Sequence, residues 1–163
     1  MRQILPIILI VLLGCAAVSE APSADPSSFE LACQAMEVNC SGVAPPIVVT
    51  SAIVDQIPCF GCEFNGMAFN GEPYIFINAY ASPQQQTWTE FHETIHYIVH
   101  MTRMEISRCE NEELARKLTA LQFNFQYDPE WLPRYGCNAD GTDTPPPELP
   151  EAITKIIQIV KGE

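Results

Sequence analysis

Basic residues are scarce in this chain. Its 163 residues include 8 lysines and arginines against 20 aspartates and glutamates, which gives a formal net charge of −12. Binding to nucleic acid requires a basic face that meets the phosphates, and docking to anionic lipid requires basic clusters. The charge balance therefore argues against both classes of partner. Otherwise a strongly acidic surface favours solubility.

Long apolar runs are lacking as well. The longest, residues 4–13, is too short to span a bilayer as a helix, which takes about 20 residues. It follows a single positive charge at Arg2, a combination typical of a secretory signal. The run leads into Leu12-Leu13-Gly14-Cys15, which resembles a bacterial lipobox. We predict a signal peptide over residues 1–14, lipidation at Cys15 and export to the cell envelope, with ordinary cleavage near Ala16-Ala17 or an uncleaved anchor as the alternatives.

The remaining residues divide into a tether, one domain and a terminal helix. Residues 15–28 are small, polar and proline-containing, which is typical of a tether. Residues 29–135 are predicted to form one domain, a normal size for a single core. A linker is predicted over residues 136–147. An amphipathic helix over residues 148–163 should then pack on the domain.

Seven cysteines are many for a chain of this length. If Cys15 carries the lipid, the other six can form three disulfides in the oxidising compartment that export implies. We predict the pairs Cys33–Cys40, Cys59–Cys62 and Cys109–Cys137. Cys59 and Cys62 form a CxxC motif that could instead be a redox dithiol or half a zinc ribbon. The sequence has no second CxxC to complete a ribbon, and no thioredoxin-like pattern surrounds this one.

The domain combines helix and strand signals, so its predicted class is α+β. Helices are predicted at residues 27–38, 83–101 and 110–125, strands at 47–50 and 74–78, and turns, with a hairpin, across 58–72. The middle helix has the clearest start, because Ser82 can cap it, Pro83 suits its first position and Gln85 completes a capping box. Its predicted buried face contains Trp88, Phe91, Ile95, Ile98 and Val99.

The last helix of the domain carries an apolar stripe. This stripe contains Leu114, Leu118, Leu121 and Phe125. Asp128-Pro129 should end the helix.

Histidine is also rare, and all three histidines lie between residues 92 and 100. Residues 92–96 form an HExxH motif. On a helix, His92 and His96 share one face, so both rings can reach one metal ion, and Glu93 can act as general base on a metal-bound water. His100 lies about 12 Å along the axis from His92. With zinc–nitrogen bonds of about 2 Å, three rings on one straight helix cannot share an ion.

A catalytic zinc site needs three protein ligands and one open position, so the third ligand must come from elsewhere. The acidic start of the next helix offers Glu105, Glu110, Glu112 and Glu113. Glu113 is spaced to pair with Lys117 on the surface. Glu112 shares a face with Ala115 and Thr119, which are small enough to let two helices approach closely. Periodicity alone leaves the choice open.

Residues 73–120 resemble the active-site core of the ImmA/IrrE-type zinc metallopeptidases. That core has a strand ending in Asn, followed by a Ser-Pro helix start and a Gln. It also has a Thr three residues before HExxH and a His four residues after the motif. The matching residues here are, in order, Ile77-Asn78, Ser82-Pro83, Gln86, Thr89 and His100. In the next helix the family has a Glu, an Ala and an apolar residue at spacings of three, which here are Glu112, Ala115 and Leu118. The chain departs from the family at Ile95, where Gly is usual, and at Arg116, where Asn is usual. The apolar-Pro end of the family's second helix is missing, and typical members are intracellular.

The resemblance implies that His92, His96 and Glu112 hold one zinc ion per chain and that Glu93 is the catalytic base. It implies a small zincin-like fold, with a short sheet packed on the active-site helix, and a peptide or protein substrate. We expect this substrate to add as a strand at an edge offered by residues 74–78. The oxyanion donor is left open among Tyr97, Tyr127, Tyr135 and His100. We expect a monomer whose membrane contact is its lipid anchor only.

A non-catalytic function is the alternative. A zincin-fold envelope lipoprotein could act as a binding or immunity protein. Such proteins usually lose the Glu of the motif, and Glu93 is present here. Replacing Glu93 by Gln separates the two hypotheses, because it should abolish turnover in an enzyme and change nothing in a binding protein.

Overall fold

A computed structural model describes residues 26–52, 65–69, 72–138, 142–144 and 158. Its elements are helix α1 (Ser28–Ala35), strands β1 (Ile47–Ser51), β2 (Gly66–Ala68) and β3 (Tyr74–Asn78), helices α2 (Pro83–Met101) and α3 (Arg108–Gln122), and a 3₁₀ helix (Pro129–Tyr135). Three helices and a small mixed sheet make this an α+β domain, as predicted. The predicted signal peptide, Cys15, the Cys59–Cys62 pair and all of the terminal helix except Gln158 lie outside the described residues.

The sheet has the order β1-β3-β2. β1 runs parallel to β3, with Val49 opposite Phe76, and β2 runs antiparallel to it, with Met67 opposite the same Phe76. β3 is the most buried strand because a neighbour pairs with each of its sides. The expectation that residues 74–78 offer a free edge to substrate is therefore wrong. β2, which is only three residues long and lies in the turn-rich segment, is an edge strand of the described sheet instead.

Helix α2 has the predicted bounds. The Ser82 hydroxyl accepts from the Gln85 backbone N–H, the Gln85 side chain accepts from the Ser82 N–H, and Pro83 occupies the first turn. The predicted apolar face is buried at Phe91, Ile95, Ile98 and Val99, whereas Trp88 is only half-buried. α1 packs against this helix, and so do β3 and α3. Its face toward the core therefore organises the domain.

Helix α3 differs from its prediction at both ends. It starts at Arg108, where Ser107 and Glu110 form a capping box, and it stops at Gln122. Asp128 does not end α3, but caps the 3₁₀ helix through an Oδ1 that accepts from the Glu130 N–H.

The buried face of α3 is not the leucine stripe. The buried residues are Glu112, Ala115, Thr119 and Ala120, whereas Leu121 is 77% exposed. Phe125 lies beyond the helix and is also exposed, and Leu114 and Leu118 are half-buried. The face lined by Ala115 and Thr119 is therefore the buried one, and Leu114 and Leu118 pack at the border of the core. α3 turns its small residues inward, since they allow it to lie against α2.

Two of the three predicted disulfides are present in the described residues. Cys33–Cys40 links α1 to the loop that follows it, and Cys109–Cys137 links the start of α3 to the end of the 3₁₀ helix. Disulfides of this kind indicate an oxidising, extracellular environment. Beyond Cys137, the described part of the predicted linker turns back toward α3. Cys137 and Asp143 form an isolated antiparallel β-bridge, and the Asp143 carboxylate forms an ion pair with Arg108. The described residues include no helix that could span a membrane.

Candidate metal centre

The two histidines of the motif and one glutamate converge between α2 and α3. The Nε2 atoms of His92 and His96 lie 3.0 Å apart. Glu112 places Oε2 at 3.2 Å from the His96 Nε2 and Oε1 at 3.6 Å from the His92 Nε2. In a tetrahedral zinc site with bonds of about 2.0–2.1 Å, ligand atoms are about 3.3 Å apart. The separations between the side chains are close to this value, so the three residues could hold a metal ion.

The other candidate ligands are used elsewhere. Glu110 accepts hydrogen bonds from the Ser107 backbone and hydroxyl, which lower its pKa. Glu113 pairs with the Nζ of Lys117 at 2.6 Å, as predicted. Glu105 and His100 are exposed. Glu112 is therefore the one of the four glutamates that the structure brings to the histidines.

Asn111 orients one of the two rings. Its Oδ1 lies 2.9 Å from the Nδ1 of His96. An amide oxygen only accepts, so Nδ1 carries the proton and the Nε2 lone pair is available to a metal ion. Sequence reasoning missed Asn111, although it directly precedes Glu112.

In the metal-free protein, Glu112 and His96 have pKa values that are shifted in opposite directions. Burial by itself lowers the pKa of His96, but the hydrogen bond and charge of Glu112 outweigh it and raise that pKa to about 9. Burial by itself raises the pKa of Glu112, but His92 and His96 together hold it well below its usual range. Glu112 is thus a carboxylate under all ordinary conditions, as a metal ligand must be.

Glu93 is buried beside this group and faces the sheet. Burial raises its pKa, and the positive charges of His92 and His96 offset part of that rise. The backbone N–H of Ala68 in β2 donates to its carboxylate. A buried carboxyl with a raised pKa beside candidate ligands is suited to accept a proton and to return it.

Gly66 of β2 allows this approach of strand to helix. A Cβ there would lie 2.3 Å from Thr89 Cγ2, 2.8 Å from the Phe76 carbonyl oxygen and 3.0 Å from Glu93 Cγ. Any side chain larger than hydrogen would therefore displace Glu93 or the strand. The sequence placed Gly66 only in a turn-rich segment and did not indicate this role.

Arg116 and two aromatic rings border the other side of Glu112. The Nε of Arg116 donates to Glu112 Oε1 at 2.6 Å. Its guanidinium lies 4.6 Å from the ring centroid of Tyr135 and 5.5 Å from that of Trp131, and it donates to the Tyr135 hydroxyl. Burial raises the pKa of Tyr135, and so do the charges of Glu112 and Glu93, which places this tyrosine at the site.

Of the four candidate oxyanion donors, Tyr135 is the one that the structure brings to the ligands. The Tyr97 hydroxyl donates to the Ala44 carbonyl at 2.7 Å, on the α1 side of α2. Tyr127 lies beside the Lys117 ammonium, and His100 is exposed at the end of α2. We therefore retain Tyr135 alone as a candidate.

No protein-family model matches the chain, and no curated protein or solved structure is significantly similar to it. The resemblance to ImmA/IrrE-type metallopeptidases thus depends on the residue pattern of 73–120 alone. The features that bear on function are therefore the α+β fold and the geometry of the His92, His96 and Glu112 group.

Proposed function

We propose that this protein is a zinc metallopeptidase, similar to the ImmA/IrrE type, that hydrolyses peptide bonds in the cell envelope. The observation that carries the proposal is the convergence of His92, His96 and Glu112, with Glu93 buried beside them. Two imidazoles and one carboxylate are a ligand set used by catalytic zinc, and three protein ligands leave a fourth position open. The proposed stoichiometry is one zinc ion per chain.

The residues around the group support hydrolytic chemistry. A bound zinc ion would supply Lewis acidity, which polarises a carbonyl and favours ionisation of water near neutral pH. Glu93 would accept the proton of the attacking water and deliver it to the leaving amine, and the Ala68 N–H holds its carboxylate in place. Tyr135 would donate its hydroxyl proton in a hydrogen bond to the developing oxyanion.

The edge of β2 supports an extended peptide as substrate. The Asn65 carbonyl accepts from the Asn78 N–H, so alternation along an antiparallel strand directs the backbone groups of Gly66 and Ala68 away from β3. The Ala68 N–H does point away, since it reaches Glu93. A peptide that added as a strand along β2 would therefore pass the proposed base.

Export and lipid anchoring belong to the same proposal. The disulfides Cys33–Cys40 and Cys109–Cys137 support an oxidising compartment, which the signal-like residues 1–14 would provide. Lipidation of Cys15 would keep the enzyme at the bacterial cell envelope. The acidic balance of the chain supports a protein or peptide partner rather than nucleic acid.

Glu93→Gln tests the catalytic assignment. The full chain, exported and purified with zinc, is assayed on a quenched fluorescent peptide library beside Glu90→Gln, which makes the same change one helical turn earlier. We expect Glu93→Gln to keep its zinc and to lose about 10²–10⁴-fold in rate. Glu90→Gln should keep both. Zinc binding without hydrolysis in the wild type would instead favour a binding or immunity protein, whereas an unchanged hydrolysis rate in Glu93→Gln would show that Glu93 is not the base.

A further inference from the structure

The two oxygens of the Glu112 carboxylate have different partners. Oε1 accepts from the Arg116 Nε at 2.6 Å and lies 3.6 Å from the Nε2 of His92, whereas Oε2 lies 3.2 Å from the Nε2 of His96. Both side chains are largely buried, with 19% of Arg116 and 11% of Glu112 exposed. A charge-assisted hydrogen bond shielded from water is strong enough to fix the orientation of the carboxylate.

Arg116 is itself held in place from outside α3. Its guanidinium contacts the rings of Trp131 and Tyr135 in the 3₁₀ helix, and it donates to the Tyr135 hydroxyl. The disulfide Cys109–Cys137 ties the end of that 3₁₀ helix to the start of α3. The planar guanidinium is suited to this combination of stacking and directed hydrogen bonds, which an ammonium group cannot make.

We infer that Arg116 is a positioning residue that restricts Glu112 to binding the metal ion through one oxygen. This inference rests on the proposed metal centre. A carboxylate can bind a cation through one oxygen or both. Because the guanidinium engages Oε1, and Oε2 lies nearer to a histidine nitrogen (3.2 Å against 3.6 Å), Oε2 is the oxygen presented to the ion, and a fourth position stays open for water or substrate.

The neighbouring ion pair supplies a matched control. Glu113 and Lys117 have the same i,i+4 spacing and also lie 2.6 Å apart, but their side chains are 40% and 54% exposed. Glu113 is not part of the candidate metal group. Replacing Lys117 therefore removes a basic ion-pair partner from α3 but leaves the partners of the proposed ligand Glu112 unchanged.

The test measures zinc affinity by chelator competition, and visible absorption of the cobalt(II) form, for Arg116→Met, Arg116→Lys and Lys117→Met. Both Arg116 variants should bind zinc about 10–100-fold more weakly. Their cobalt absorption should weaken, because a second carboxylate oxygen takes the ion beyond four-coordination. Lys117→Met should match the wild type in both measurements. If Arg116→Met does not fold, as judged by circular dichroism, Arg116→Lys carries the same comparison.

Each outcome has a distinct meaning. A folded Arg116 variant with wild-type zinc affinity and cobalt spectrum, even if its Tm is lower, would assign Arg116 to stability and overturn the inference. Wild-type zinc affinity in Arg116→Lys would show that a positive charge alone is sufficient, and it would also overturn the inference. A wild type that binds no zinc would overturn the metal centre itself. A wild type that binds zinc but hydrolyses nothing would overturn the peptidase proposal and leave the positioning role standing.

Discussion

The two buried glutamates of the candidate site have pKa values displaced in opposite directions. Burial raises the pKa of Glu93, and the nearby histidines offset this only in part. For Glu112 the same histidines outweigh burial and keep the pKa well below its usual range. Two carboxyl groups whose environments separate their pKa values are suited to different tasks. The carboxylate of Glu112 stays ionised, as a metal ligand must be, and that of Glu93 can gain and lose a proton.

Zinc affinity should rise with pH. His96 must be neutral to bind zinc, but its pKa in the metal-free protein is raised to about 9. Binding below that pH therefore displaces a proton, and affinity should increase steadily between about pH 6 and 9. Chelator competition across this range measures the affinity, and calorimetry in buffers of different ionisation enthalpy measures proton release. An affinity independent of pH would contradict this prediction.

At alkaline pH, the stability of the metal-free protein should fall as the pH rises, whereas its zinc affinity should rise. The raised pKa of His96 contributes stability that is complete below its unfolded value of about 6.5. This contribution is lost as the pH rises through about 9. The lowered pKa of Glu112 contributes stability above an unfolded value of about 4.3, which is lost on acidification. Urea titrations of zinc-stripped protein should therefore show greatest stability at about pH 4.5–6.5.

Gly66→Ala should damage the catalytic side of the site. The added methyl group would overlap Thr89 and press on Glu93, which should cost roughly 1–3 kcal/mol of stability and lower the hydrolysis rate. Gly42→Ala is the control, because Gly42 has φ +91° but no atom within 4 Å of a new Cβ. It should cost stability through backbone strain alone and leave the rate per folded molecule unchanged. Equal rates in both variants would contradict the proposed role of Gly66.

At the scale of the elements, local signals predicted α2 better than they predicted α3. The bounds of α2 follow from Ser82, Pro83 and Gln85, whose capping interactions are made within one turn. The face that α3 buries depends on a partner remote in sequence, and close contact with α2 favours Ala115 over Leu121. The small residues Ala115 and Thr119, rather than the leucine stripe, indicated the face that packs on α2.

The candidate site shows the same division between local and long-range information. The motif and the resemblance together identified His92, His96 and Glu112, and the structure brings these three side chains together. The roles of Gly66 and Arg116 could not be predicted, because each depends on contacts with elements distant in sequence. The bounds of β2 within the predicted hairpin segment could not be predicted, because three residues are too few for a period-of-two pattern to emerge.

The disulfide beside the site should matter more for zinc than the other described disulfide. Replacing Cys109 and Cys137 together by Ser removes the link between α3 and the 3₁₀ helix whose rings contact Arg116, so zinc affinity should fall. By chain entropy the replacement should also cost about 3–4 kcal/mol of stability. Replacing Cys33 and Cys40 opens a shorter loop at α1, which should cost about 2 kcal/mol and leave zinc affinity unchanged. Equal zinc affinities in the two double variants, measured on folded protein, would contradict this prediction.

At the scale of the whole molecule, the candidate metal group joins elements that are separate in the chain. His92 and His96 belong to α2, Glu112 belongs to α3, and Glu93 connects α2 to β2. α2 is also the helix on which α1 and β3 pack. An ion held by all three ligands would therefore link α3 to the centre of the domain, so metal binding and global stability should be coupled.

Zinc should raise the Tm of the wild type and not that of Glu112→Ala. A ligand that binds only the folded state, at 100 times its Kd, adds about 2.7 kcal/mol. For a domain of this size that corresponds to a shift on the order of 10 °C. Glu113→Ala is the matched control, since it removes a neighbouring carboxylate that pairs with Lys117 and is not part of the candidate metal group, and it should keep the full shift. A full shift in Glu112→Ala would move the third ligand to another residue. No shift in the wild type, together with no zinc in the purified protein, would leave the two histidines and Glu112 as an ion-paired contact between α2 and α3 rather than a metal centre.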